Sequence, residues 1–259
     1  MQQFSMRYIF GFSALICLVC SLMISVVTVM LRERQAINRQ LDKQLAVLRT
    51  AWLVQPDEKP SPERVTELFK NIRMQVIDIT TGDPAEGIFP ETFDDAKAPT
   101  ISVTENGPGM PEVPKLVRIY EVLDGQGKTV EYIFPIVGKG LWSTMRGFLA
   151  LDADGETIRG LSFYEHGETP GLGGEVDNPR WKELWKGRKA YDESGKAAIR
   201  VRKGPAGPPD QDPYEVDGLS GATLTSRGVT NTLRFWLDEQ GFGRFIARHI
   251  IPSGTTAGA

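Results

Sequence analysis

The stretch "DGLSGATLTS", residues 217–226, sets an aspartate six positions before a threonine and fills the approach to that threonine with small residues. Ser220, Gly221 and Ala222 leave the Thr223 hydroxyl open, and glycine allows a backbone path closed to other residues. A helix is expected to begin close by, with Ser226 as its N-cap. The unpaired N–H groups and the positive dipole end of a helix start suit a phosphate. The pattern is neither a Walker loop, since G-K-[ST] is missing, nor a dinucleotide fingerprint. Taken alone, these residues indicate an anionic group near Thr223 and nothing narrower.

Two further glycine-rich stretches carry chemistry-bearing side chains, "GKGLWS" (138–143) and "EHGETPGLGGEV" (165–176). His166 and Glu168 are suited to proton transfer, yet no serine or cysteine beside them forms a nucleophile motif, and a structural or partly exposed histidine is the better reading of His166. Pro170, Gly171, Gly173 and Gly174 describe a stiff loop that presents backbone N–H groups, with Leu172 as an apolar tip. Such a loop suits a flat ring with polar edges, and Trp142 either flanks that ring or belongs to the core. Each of the three stretches could also be only a turn.

Cys17 and Cys20 have C-x-x-C spacing, but both fall in an apolar segment, and the chain has no other cysteine and only two histidines, His166 and His249. Metal ligation is not expected. At helical spacing the two cysteines read as small lipid-compatible residues or as a contact with a partner's membrane helix. With no cysteine elsewhere, the rest of the chain gives no signal of redox compartment.

These residues need elements to hold them. The chain has 259 residues, 41% apolar and 24% charged, with a net charge of −3, so a globule is expected and nucleic acid is not an expected partner. Residues 8–31 contain no charge and exceed the roughly 20 needed to cross a bilayer. A cleaved signal typically has an apolar run of about 7–15 residues and a small-residue cleavage site; neither fits, so a permanent anchor is expected. Arg7 alone precedes the span, whereas Arg32, Arg34, Arg39, Lys43 and Arg49 follow it. That count favours a cytoplasmic C-terminal part.

Beyond the span, Ile37, Leu41, Leu45, Leu48 and Trp52 form one apolar stripe, which predicts an amphipathic stalk ended by "QPDEKPSP". A short helix ("ERVTELFKNI"), a strand near 74–79 and irregular chain over 80–114 follow. "LVRIYEVL", "VEYIFPIVG", "RGFLALD" and "TIRGLSFYE" then read as antiparallel strands, the last two joined at "DADG". Helices are expected at "NPRWKELWKG", with Trp181, Leu184 and Trp185 on one side, and at "SRGVTNTLRFWLDEQG", with Val229, Leu233, Trp236 and Leu237 inward. The fold class is α+β: a single N-terminal transmembrane helix and a mixed domain with antiparallel strands. The division is tail 1–7, span 8–31, stalk and first part of the soluble domain 32–114, and main domain 115–259.

"DGLSGAT" resembles the flavinylation motif of the FMN-binding domain family. In order, "GKGLW", "HGETPGLGGEV", "DGLSGATLTS" and "FWLDEQGFGRFIA" resemble the family of C subunits of sodium-translocating NADH:quinone reductases, over nearly the whole chain. The resemblance implies that Thr223 carries FMN through a phosphoester, with Asp217, Ser220, Gly221 and Ala222 read by the attaching enzyme and Leu224 and Thr225 completing the motif. It implies that Glu168, Thr169, Gly171, Leu172 and Gly173 lie against the isoalloxazine ring, that Trp142 belongs to the matching glycine block, and that Lys203 in "VRKGPAG" is basic and beside the flavin. It further implies an electron-transfer subunit of a membrane complex, with no independent turnover and no metal of its own. Its partners would be an NADH-oxidising FAD/iron–sulfur subunit, a flavin-carrying membrane subunit, small membrane subunits and, for maturation, a flavin transferase. The family puts the domain on the periplasmic side of the bacterial inner membrane, against the charge count. Two other readings are the equivalent subunit of an Rnf ferredoxin-oxidising complex and a flavin-free anchored binding module.

Overall fold

The computed structural model describes residues 5–55, 57–103 and 107–251. The expected tail 1–7 and the end of the domain, 252–259, thus fall partly or wholly outside the described residues. Helix α1 runs unbroken from Met6 to Thr50. Its apolar stretch has a mean hydropathy of 2.7 over the best window, none of it buried, so it is long and apolar enough to cross a membrane. Cys17 and Cys20 are exposed along it.

The chain forms two units, residues 1–43 and 44–259. In the second, Ala46, Val47, Leu48 and Thr50 of α1 are buried, followed by Ala51 and Val54. Of the expected stripe, Leu48 is buried and Ile37 is exposed. Trp52 lies beyond the helix, where the chain turns back through a left-handed residue (φ 56°). The Leu53 N–H reaches the Leu48 carbonyl at 2.9 Å, a closure that glycine usually provides. Trp52 is held there because its indole N–H donates to the Arg159 carbonyl (3.1 Å) and the Lys186 ammonium sits 3.2 Å from its ring centroid.

Helix α2 (Pro62–Phe69) starts at Ser61, whose hydroxyl accepts from the Arg64 N–H, with Pro62 in the first turn. One antiparallel sheet follows, in the order β2-β1-β5-β6-β7-β8. Its strands are β1 (Ile72–Asp78), β2 (Asp83–Pro84), β5 (Leu116–Leu123), β6 (Thr129–Lys139), β7 (Thr144–Asp152) and β8 (Ile158–Glu165). The 80–114 region, expected to be irregular, also holds β2, a short helical turn at Asp95–Lys97 and a small hairpin, β3 (Thr100–Ser102) with β4 (Glu112–Pro114). Strand β1 pairs with β5 along its whole length, Ile72 opposite Val122 through Asp78 opposite Leu116. The chain therefore has no structural break at 114/115: the sheet begins well before it. At the β7–β8 turn, Asp154 Oδ1 accepts from the Glu156 and Thr157 N–H groups, both at 2.8 Å.

One sheet face meets α2 through an aromatic chain, Phe69 edge-on to Tyr120 and Tyr120 edge-on to Phe148. The other packs on helix α4 (Thr223–Leu237), which buries Val229, Leu233, Trp236 and Leu237 as its period requires. The Trp236 indole donates to the Val137 carbonyl at 2.8 Å, and Phe134 lies 4.8 Å from Phe242. Helix and strand approach closely because Gly138 lacks a side chain; a Cβ there would overlap Thr232. Helix α3 (Pro179–Glu183) is shorter than expected, capped by Asn178 and ending in turns that lead to Gly187 at φ 77°. Trp181 and Trp185 are nonetheless both buried, edge-on at 5.3 Å. A short parallel pair, β9 (Arg200–Val201) with β10 (Glu215–Val216), brings the chain to α4. The last described segment is α5 (Gly243–Phe245), running into a turn over Ile246–Ile250.

Candidate functional site

Helix α4 begins at Thr223, three residues earlier than expected, and its N-cap is Ala222 rather than Ser226. The Ser226 N–H donates to the Ala222 carbonyl at 2.9 Å, which already makes the first helical bond. Ser226 is buried inside the first turn, where its hydroxyl accepts from the Leu219 N–H at 3.2 Å. Ala222 has no side-chain oxygen to cap the helix, so the N–H groups of the first turn have no partner within the helix. Thr223 therefore carries its hydroxyl on the first residue of a helix, at the positive dipole end. Gly221 before it has φ 69°, and a Cβ there would stand 2.8 Å from Leu172 Cδ2. Only glycine meets both conditions.

Thr223 opens into a cleft of about 810 Å³. One wall is the chain from Val201 to Pro205, which carries Lys203; the floor is Asp217–Gly221. The other wall is one face of α4, with Arg227, Asn231 and Arg234 following Thr223. Asp217 Oδ1 accepts from the Ala206 N–H at 2.8 Å, so the motif aspartate ties down the loop that carries Lys203. The Trp181 indole donates to the Asp217 carbonyl at 2.9 Å and fixes that segment from below. Arg202 is neutralised by Glu215 (2.8 Å) and Asp212 (3.5 Å). Lys203, Arg227 and Arg234 give the cleft its positive character.

Arg227, Asn231 and Arg234 escape the motif-based sequence reading. Their spacing of four, eight and eleven from Thr223 puts all of them on the helix face that carries that residue, and helical periodicity alone would have found them.

The expected site residues divide into two groups. Lys203, Asp217, Ser220, Gly221 and Thr223 line the cleft together. Ala222, Leu224, Thr225, Trp142, Glu168, Thr169, Gly171, Leu172 and Gly173 do not line it, although Leu172 Cδ2 lies against the place a Gly221 side chain would take. Trp142 is 69% exposed, which rules out its reading as a core residue, and Leu141, Leu172 and Leu224 are also exposed. Thr169 holds its loop by its backbone, its carbonyl accepting from Leu172 (3.1 Å) and Gly174 (2.9 Å). Thr225 is wholly buried.

Glu168 is buried at 5% exposure. Its Oε1 accepts from the N–H groups of Trp142 (3.0 Å) and Ser143 (3.2 Å) and from the Ser143 hydroxyl (3.3 Å). Its Oε2 accepts from the Leu141 N–H (3.2 Å) and the Thr225 hydroxyl (2.6 Å). Desolvation by burial pushes its pKa up, but the Thr225 hydroxyl and the three backbone donors outweigh this and hold it below the usual carboxylate range. His166 is turned away from such work. Its Nε2 pairs with Asp177 Oδ2 at 2.8 Å, and its Nδ1 accepts from the Glu168 N–H at 3.3 Å, which makes it a brace of this loop. Among the described residues no cluster of His, Cys, Asp and Glu is arranged to hold a metal ion.

Known proteins resemble this chain in sequence and fold. The FMN-binding domain family matches residues 140–238, which span both groups of site residues. Over 242 residues the chain is 43% identical to the C subunit of the Na(+)-translocating NADH-quinone reductase of Yersinia pestis, covering 90% of this chain and 89% of that one. With the C subunit of the Pseudomonas aeruginosa reductase the identity is 42% over 241 residues, covering 90% and 91%. The chain belongs to the family of C subunits of Na(+)-translocating NADH-quinone reductases. The crystal structure of NqrC from Shewanella oneidensis superposes with a TM-score of 0.73 at 33% identity, over 81% of this chain and 97% of that one. The C subunit from Parabacteroides distasonis gives 0.64 at 28%, over 83% and 96%. A C subunit is one part of the reductase complex, so an N-terminal helix that anchors in a membrane is in keeping with membership. The expected α+β fold with antiparallel strands is the fold of this family. Membership sets aside the Rnf counterpart and the flavin-free module.

Proposed function

We propose that this chain relays electrons within a membrane sodium-pumping NADH:ubiquinone reductase and carries FMN as a phosphoester on Thr223. One observation supports the reading above the others: the Thr223 hydroxyl stands at the uncapped start of α4 and opens into a cationic cleft. The cleft volume falls within the range of about 300–1,000 Å³ typical of small-molecule sites. The first-turn N–H groups and Arg227, one helical turn away, would hold the phosphodiester. Lys203 would lie beside the ring and favour its reduced, anionic form by charge. Leu172, beside Gly221, and Trp142, both exposed, would supply apolar contact. FMN, when bound, supplies one- and two-electron redox chemistry, and a covalent tether keeps it in place as its charge changes.

A threonine hydroxyl is a weak nucleophile at neutral pH and needs a base or a metal. The reading assigns that assistance to a separate flavin transferase acting with a metal ion. In that step the Thr223 oxygen attacks the riboflavin-side phosphorus of FAD. The new O–P ester forms as the bridging P–O bond breaks; AMP leaves, and the hydroxyl proton passes to a base of the transferase. Asp217, Ser220, Gly221 and Ala222 shape the turn that is presented for it.

The N-terminal helix holds the domain on the periplasmic side of the inner membrane. There it takes electrons from an iron–sulfur partner and passes them to another flavin subunit. The functional division is a tail at 1–7, a span at 8–31, a stalk with the first part of the soluble domain at 32–114, and the FMN-binding domain at 115–259, although the sheet crosses the last boundary. Intact-mass measurement of the chain made with and without the transferase tests the central claim. An FMN adduct on Thr223 only in its presence is expected; an adduct in both preparations, or on another residue, refutes it.

A further inference from the structure

We propose that the Glu168 carboxylate is a positioning residue for flavin loading, acting through Thr225 to fix the Thr223 hydroxyl, and is not itself a flavin contact. The inference rests on the reading of Thr223 as the loading site. An ionised carboxylate offers about four lone-pair directions. Glu168 already receives five donors, from Leu141, Trp142, two groups of Ser143, and Thr225. No acceptor capacity is left for a flavin edge. The carboxylate instead ties three parts of the chain together: the loop after β6, its own loop after β8, and the first turn of α4.

The surrounding glycines are shaped for this enclosure. A Cβ at Gly140 would stand 2.5 Å from Glu168 Oε1, and one at Gly173 would stand 2.5 Å from Thr225 Oγ1 and 2.8 Å from Glu168 Oε2. Both glycines are thus room for the carboxylate and its Thr225 partner. Thr225 and Thr223 are two residues apart on a helix, about 200° around its axis. Thr225 can thus point inward to Glu168 while Thr223 faces the cleft. At 2.6 Å the Thr225–Glu168 bond is short and charge-assisted, the kind that best fixes a rotation about the helix axis.

The test uses the full-length chain in detergent, produced without the transferase, then given transferase, FAD and Mg²⁺, with loading followed by intact mass. Thr225→Val removes the donor at nearly constant shape, and Thr225→Ser keeps it. Thr225→Val and Glu168→Gln are expected to lower kcat for loading about tenfold, the size of one lost charge-assisted bond, with KM for the chain unchanged. Thr225→Ser is expected to restore most of the rate. The proposal is overturned if Thr225→Val loads like the wild type, or if Thr225→Ser is no better than Thr225→Val. It is also overturned if Thr225→Val loses its cooperative thermal unfolding, since the bond is then a requirement of the fold. A wild-type chain that stays unloaded would instead refute the reading of Thr223.

Discussion

Thr223 and its neighbours divide the work of the site among single residues. Thr223→Ala removes the oxygen to which the phosphoester is assigned, and intact mass should then show no flavin on the chain. Lys203→Ala withdraws a cation from the cleft wall. Redox titration of the loaded variant should show the midpoint potential lowered by about 30 mV, equivalent to a tenfold change in a two-electron equilibrium. Gly221→Ala forces a side chain into left-handed backbone and against Leu172. Thermal unfolding should show a loss of roughly 1–3 kcal/mol, together with slower loading. That Thr223, Gly221 and Asp217 share one cleft is legible in the sequence because small residues before a hydroxyl at a helix start carry a local signal. The burial of Glu168 is not. Its five donors come from segments up to 57 positions away, and no local pattern encodes such a meeting.

At the scale of elements, strands are legible because alternation and turn residues are local, as the Asp154 turn between β7 and β8 shows. Helix ends are less so. Ser226 has the chemistry of an N-cap, yet the Ala222 carbonyl takes the first helical bond and Ser226 is spent on Leu219. On β6, Glu131 is almost fully buried, with Oε1 unpartnered among the described residues and Arg159 Nε 3.9 Å from Oε2. Desolvation raises its pKa from 4.5 to about 7; Arg159 opposes the shift and Asp152 adds to it. The folded state thus holds a proton that the unfolded state releases between those values. Glu131 therefore stabilises the fold relative to its charged form below pH 4.5, and that contribution is lost as the pH rises toward 7. Glu131→Gln should raise stability at pH 8 by roughly 1–3 kcal/mol and leave it nearly unchanged at pH 4. Urea unfolding at the two pH values measures the difference.

For the whole molecule, the anchor and the globule share one helix but not one role. Length and absence of charge make the apolar segment plain from sequence, whereas the place where α1 becomes part of the globule is hidden there. The stripe through Ile37, Leu41, Leu45 and Leu48 continues without interruption, but only its end is enclosed by the sheet side of the protein. Val47 and Leu48 are fully buried, and Thr50, Ala51 and Val54 nearly so. The left-handed turn at Trp52, held by Arg159 and Lys186, locks that end in place. A water-soluble version should accordingly start upstream of Gln44. Cutting at Ala36 leaves the enclosed turn whole, whereas cutting at Gln55 deletes keystones of the core along with the lipid-facing part. The shorter fragment would then aggregate for reasons unrelated to its flavin.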